Sequence, residues 1–247
     1  MPKELKQSRI AMWSGPRNMS TAMMRAWGNR PDTFVCDEPF YAHYLQQTGV
    51  DHKGAQEVID HHVKDWRKVV EWLTGPIPEG KALFYQKHMA HHLLPDMERE
   101  WLTMMTHCFL IRDPVEMLPS LDEKFAFPQL RDTGFPQQVE IFHAVCKEQK
   151  TVPPVIDSKD LLQAPEGILR QCCDRLGIPW RDSMLSWAPG PRETDGIWSK
   201  HWYHNVEKTS TFQPYKKKEA PLPEHLIDLN KECQSYYQEL YPHRLKS

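Results

Sequence analysis

The stretch that most restricts the fold runs from Arg9 to Trp27. A short apolar segment, Arg9-Ile-Ala-Met-Trp13, stops at Ser14-Gly15-Pro16 and is followed by the helix-prone Ser20-Thr-Ala-Met-Met-Arg-Ala-Trp27. Strand, tight turn and helix in immediate succession is a unit that parallel sheets are built from. Further strands are expected at Asp32-Thr-Phe-Val-Cys36, Ala82-Leu-Phe-Tyr85, His107-Cys-Phe-Leu-Ile111 and Val155-Ile156. Between them, apolar residues at Ile59, Val63, Trp66, Val70 and Leu73 repeat with a helical period and predict one amphipathic helix ending at Gly75-Pro-Ile-Pro78. Two more helices are expected over Glu166–Leu176 and Glu224–Leu240, with Ala188–Gly196 a loop. Strands alternating with helices predict an α/β fold, a mostly parallel sheet with helices on both faces.

The 247 residues suit a single domain over 1–247 with a complete core. With 31 basic and 33 acidic residues the formal charge is −2, which argues against affinity drawn from a basic face on nucleic acid or anionic lipid. No apolar run approaches the roughly 18 residues that span a bilayer. The opening Met1-Pro-Lys-Glu-Leu-Lys6 lacks the apolar core of a signal peptide, so an unprocessed, cytoplasmic chain is expected. The six cysteines form no C-x-x-C pair and read as reduced structural thiols.

In open parallel sheets ligands sit beyond the carboxyl ends of the strands, the place taken here by Ser14-Gly-Pro-Arg-Asn-Met-Ser-Thr21. Backbone N–H groups and the positive end of the next helix suit a phosphate there, Ser20 and Thr21 add hydroxyls, and Arg17 adds a full charge. The loop is not a Walker A motif, because the second Gly and the Lys are missing. An ordinary helix start capped by Ser or Thr is the competing reading. His88, His91 and His92 carry no H-E-x-x-H pattern, and no metal is expected at them.

Several segments, in order, resemble the sulfotransferases that use 3′-phosphoadenosine 5′-phosphosulfate (PAPS). Gly15-Pro16-Arg17-Asn18-Met19-Ser20-Thr21 resembles the family's 5′-phosphosulfate loop. Phe109-Leu-Ile-Arg112, with Ser120 eight residues later, resembles its 3′-phosphate element. Gln86-Lys87-His88-Met89 is similar to the strand end that carries a catalytic His in cytosolic members, and Val155-Ile-Asp-Ser-Lys-Asp-Leu161 ahead of Leu176-Gly177-Ile178 is similar to a later strand and helix end. The chain departs from the family at Asn18-Met19, where many members have Ser-Gly, and in lacking the C-terminal Arg-Lys-Gly segment. Trp198-Ser-Lys200-His201-Trp202 is the candidate substitute, with Lys200 as the cation and Trp198 or Trp202 as a wall.

The resemblance implies transfer of a sulfuryl group from PAPS to a hydroxyl or amine of a small-molecule acceptor, without a required metal. Gly15 to Thr21, Arg112, Ser120 and Lys200 would bind the donor, and Arg17 would also neutralise the leaving phosphate. The base that takes the acceptor's proton is expected to be His88, whose ordinary pKa of about 6.5 suits the task, with Glu38 of Asp37-Glu38-Pro39-Phe40 as the alternative. Lys87 could instead touch the transferring group. Residues 38–52, 88–95, Phe125–Phe135 and Trp198–Tyr203 are expected to line the acceptor pocket. The rival readings are a P-loop nucleotide kinase and a catalytically silent nucleotide-binding protein of the same fold.

Overall fold

The computed structural model describes residues 7–125, 127–217 and 220–246; the opening Met1–Lys6 stretch and Ala126 of the expected acceptor segment lie outside the described residues. Strands β1 (Ser8–Ser14), β2 (Thr33–Asp37), β3 (Leu83–Met89), β4 (Thr106–Ile111) and β5 (Val155–Asp157) form one parallel sheet in the order β2-β3-β1-β4-β5. The helices are α1 (Ser20–Gly28), α2 (Tyr41–Thr48), α3 (Ala55–His61), α4 (Trp66–Thr74), α5 (Pro114–Asp122), α6 (Leu130–Thr133) and α7 (Phe135–Gln149), followed by α8 (Ser158–Gln163), α9 (Pro165–Leu176), α10 (Ser199–Trp202) and α11 (Ile227–Leu240).

Alternation along β1 sorts the core into two layers. Ile10 and Met12 pack with Met23, Met24 and Trp27 of α1 and with Ile168, Leu169 and Cys172 of α9. Ala11 and Trp13 face the opposite layer, where Leu73 of α4, Leu118 of α5, Phe135 and Phe142 of α7 and Leu240 of α11 pack together. Both faces of the sheet are therefore covered, and each fully buried side chain of this size contributes about 1.5–3 kcal/mol. The fold class expected from the alternation of elements is the one observed. Among the described residues no helix is long and apolar enough to cross a membrane.

Two local readings are corrected. The helix expected through residues 59–73 is two helices, because His62 adopts an extended backbone and Asp65 starts α4 afresh by accepting the Arg67 N–H. The strand expected at residues 82–85 continues to Met89, which carries Gln86, Lys87 and His88 inside the sheet, paired with β1 and β2.

Position matters most at β1. The chain leaves β1 toward β2 on one side, whereas β4 lies on the other side and leads outward to β5, so the loops after β1 and β4 part at a crevice. Gly15 stands at that point because another backbone crosses it: a Cβ there would lie 2.3 Å from the Thr133 carbonyl oxygen.

Candidate functional site

A cavity of about 400 Å³ opens at the carboxyl ends of the strands. At one end lies the loop after β1. Arg17 and Met19 both hold left-handed backbone conformations, with φ of 61° and 66°. Met19 therefore takes the geometry for which glycine is suited, and the loop keeps that shape at a steric cost of roughly 1–2 kcal/mol per residue. The Asn18 side chain is buried, and its amide nitrogen donates to the Leu110 carbonyl at 3.3 Å, tying the loop to β4. Among the described residues no side chain caps α1, so its first-turn N–H groups have no partner of that kind while Ser20, Thr21 and Ala22 line the cavity.

Beside this loop the structure brings together three residues far apart in the chain. The Arg17 Nε donates to Ser120 Oγ at 2.9 Å, and Arg112 Nη1 donates to the Arg17 carbonyl at 3.0 Å. Ser120 comes from α5, whose start just after Arg112 is set by Asp113 capping the Val115 N–H and by Pro114 at its first position. Burial and the neighbouring Arg112 charge hold the Arg17 guanidinium below its usual range. Among the described residues Arg17 forms no ion pair, whereas Arg112 lies 3.4 Å from Glu116.

The other end of the cavity is a buried ionic cluster. Lys87 faces it from β3, opposite Asp37 in the strand register, and donates to Asp37 Oδ1 at 2.8 Å, Glu38 Oε1 at 2.5 Å and Tyr203 Oη at 2.7 Å. Those three bonds use all the protons of the ammonium. Tyr203 Oη donates to Asp37 Oδ2 at 2.7 Å, and the Gly196 N–H reaches the same oxygen at 3.1 Å. Two carboxylates against one ammonium leave one negative charge in surplus. Burial, followed by the Asp37 charge as the largest raising partner effect, lifts the Glu38 carboxyl above its ordinary range despite Lys87, and the two carboxylates hold the Lys87 ammonium well above its own. Glu38 reaches this position with a left-handed φ of 40°. Its Oε2 lies 4.0 Å from His92 Nδ1, and the His92 ring is sandwiched between Tyr41 and Tyr44 with centroids 4.8 and 4.6 Å away. Burial keeps His92 neutral and pushes His91 down to about 3.

Of the residues singled out in the sequence, Pro16, Arg17, Met19, Ser20, Thr21, Arg112 and Glu38 line the cavity. His88 does not. Neighbouring strand residues point to opposite faces, so His88 turns away from Lys87 and Met89, stacks on Trp13 at 4.5 Å, and bonds Gln86 Oε1 through Nε2 at 3.2 Å. Burial pushes its pKa down to about 3, and its expected place as the base facing the acceptor is corrected. Lys200 is also corrected: it sits half-exposed on α10, paired with Glu57 at 2.6 Å and outside the cavity lining. Trp202 lines the cavity while Trp198 is buried against Tyr41 and Tyr203. Among the described residues no three His, Cys, Asp or Glu side chains converge as a metal-binding group. Asp37 and Tyr203 were not singled out individually; the signal for Asp37 was a carboxylate and a lysine at the ends of two apolar strands, whereas nothing local marks Tyr203.

Comparison with known proteins adds a family. Residues 8–242 match the family described as "Sulfotransferase domain". Two Arabidopsis thaliana proteins named branched-chain-amino-acid aminotransferase-like protein 2 and protein 1 are each 35% identical over 95% of this chain. The chain spans only 41% and 42% of their lengths. Among solved structures, the sulfotransferase domain of the Synechococcus PCC 7002 olefin synthase superposes with a TM-score of 0.53 at 18% identity, covering 94% of this chain and 97% of that one. The sulfotransferase domain from the curacin biosynthetic pathway gives 0.53 at 14% identity, covering 98% and 99%. A sulfotransferase from Alicyclobacillus acidocaldarius gives 0.54 at 12% identity, covering 97% of each chain. At these identities the structural likeness concerns the fold.

Proposed function

This chain belongs to the sulfotransferase domain family, and we propose that it moves a sulfuryl group from PAPS to a hydroxyl or amine of a small-molecule acceptor. The observation that carries this reading is the meeting of Arg17, Arg112 and Ser120 beside an uncapped helix start, at one end of a cavity whose other end holds Glu38. Two guanidiniums, a hydroxyl and helix N–H groups form a donor set suited to phosphate oxygens and fit a doubly phosphorylated nucleotide. PAPS, when bound, supplies the activated sulfuryl group.

The residues divide the work. The loop Gly15 to Thr21 holds the 5′-phosphate, and Arg112 with Ser120 holds the 3′-phosphate. Arg17 stabilises charge as it gathers on the leaving phosphate. The acceptor atom bonds to sulfur as the bond from sulfur to the bridging oxygen breaks, and that electron pair stays with the phosphate. Glu38 Oε2 takes the acceptor's proton, a role for which a carboxyl raised by burial is suited. Lys87 orients Glu38 rather than touching the transferring group, since its three protons are already engaged. The residue immediately before Ser20 is Met19, where a P-loop kinase needs its lysine.

The test has two stages. Calorimetry with 3′,5′-adenosine bisphosphate is expected to show binding that ATP–Mg does not match, and the reverse preference would revive the kinase reading. A screen of acceptors with labelled donor is then expected to yield sulfated product; nucleotide binding without any transfer would make the protein a silent relative.

A further inference from the structure

Glu38 is held from one side only. Its Oε1 accepts from Lys87, and Oε2 has no hydrogen-bond partner among the described residues. Lys87 is itself shared with Asp37, and both oxygens of Asp37 are engaged by Lys87, Tyr203 and the Gly196 N–H. The closing member of this ring comes from more than a hundred residues downstream. Its segment is fastened independently, because Asp195, next to Gly196, forms a buried two-pronged pair with Arg25 of α1 at 2.5 and 2.7 Å. Trp198 Nε1 donates to Tyr203 Oη at 3.4 Å, a further hold on that hydroxyl.

We propose that Tyr203 is a positioning residue for sulfuryl transfer: with Asp37 it clamps Lys87, so that Glu38 is held by Oε1 and presents Oε2 to the acceptor's proton. The inference rests on the reading of Glu38 as the base and extends it to a segment remote in sequence. The clamp works by sharing one ammonium among three oxygens. Tyr203 donates to Asp37 and so lessens the hold of that carboxylate on Lys87, which strengthens the hold of Lys87 on Glu38. Besides Lys87 and Asp37, the groups facing Glu38 are Tyr203 itself, whose hydroxyl also favours the charged carboxylate, neutral His92, and Tyr41, whose hydroxyl burial keeps protonated.

Opposite changes to the two clamp members should move Glu38 in opposite directions, an outcome that general loosening does not produce. Tyr203→Phe removes the donor to Asp37, so the Glu38 titration midpoint should rise by about one pH unit. Asp37→Asn removes the competing charge, so the midpoint should fall by a similar amount. The experiment is ¹³C NMR of the full chain labelled at glutamate Cδ, with the Glu38 signal assigned by its loss in Glu38→Gln and folding of each variant followed by circular dichroism. This readout needs no acceptor. An unmoved midpoint in Tyr203→Phe, or a shift of the same sign in both variants, overturns the clamp; if Tyr203→Phe does not fold, an unmoved or raised midpoint in Asp37→Asn does so alone. With an acceptor in hand, the acid limb of kcat should follow the midpoint, a roughly tenfold loss below it for Tyr203→Phe, with KM and bisphosphate affinity unchanged. Wild-type kcat in Glu38→Gln would instead overturn the reading of Glu38 as the base while the NMR shifts still report the clamp.

Discussion

The two ends of the cavity solve opposite electrostatic problems. Around the loop after β1, Arg17, Arg112 and Lys124 gather at the cavity, with Glu116 at 3.4 Å from Arg112 and the Glu123 charge acting on Arg17. Around β3, two carboxylates share the single ammonium of Lys87, and a tyrosine hydroxyl mediates between them. The first end carries surplus positive charge on side chains that reach partly into solvent. The second carries surplus negative charge on largely buried side chains, where each charge is costly without its partner. A site with this division can draw an anionic donor to one end and keep a proton acceptor at the other, with the reacting atoms meeting between them.

Variants that strike one end only should separate donor binding from proton transfer. The largest expected effect is at the acceptor end: Glu38→Gln should lower kcat by roughly 10²–10⁴-fold in a sulfate-transfer assay while leaving the Kd for 3′,5′-adenosine bisphosphate unchanged. A parallel loss of nucleotide affinity would merge the two ends. At the donor end, Arg112→Gln should weaken the bisphosphate by about 2 kcal/mol, roughly thirtyfold by calorimetry, since a charge-assisted contact is lost and the Arg17 carbonyl is released.

His88→Phe comes next and tests a residue assigned to neither end. Turnover should stay within about twofold, because the ring packs against Trp13 on the far face of the sheet. Its effect belongs to stability. In the fold His88 is neutral down to about 3, whereas in the unfolded chain it takes a proton near 6.5. The stability it confers is therefore complete above pH 6.5 and is lost as the pH falls toward 3. Between pH 7 and pH 5 the wild type should lose about 2 kcal/mol more than the variant in urea unfolding. The smallest effect is expected of Lys200→Ala, which should change bisphosphate affinity by less than about twofold because a surface pair with Glu57 is all it breaks.

Legibility in the sequence followed how local each feature is. Short apolar runs and a helical period, with turn residues between them, were enough to mark five strands and the parallel α/β class, because strands buried on both faces read as continuous apolar segments. Arg17, Ser20 and Thr21 were legible for the same reason, lying in the turn after the first strand and the first residues of the helix it leads into. The break at His62 was not, because Asp65 interrupts an apolar period that is itself unbroken. His88 has chemistry suited to a pocket but the wrong strand parity; in β3 the shift of one residue that separates His88 from Lys87 is a change of face.

What the sequence determined alone was the set of elements and the phosphate-suited turn between the first strand and helix, since both rest on contacts within a few residues. Tertiary structure alone decided which charges meet. Arg17 joins Ser120 across 103 positions and Lys87 joins Tyr203 across 116. The physical reason is that a parallel sheet gathers the carboxyl ends of its strands on one edge. Side chains from distant segments then share one enclosed space, and their ionisation is set by neighbours that no local pattern can name.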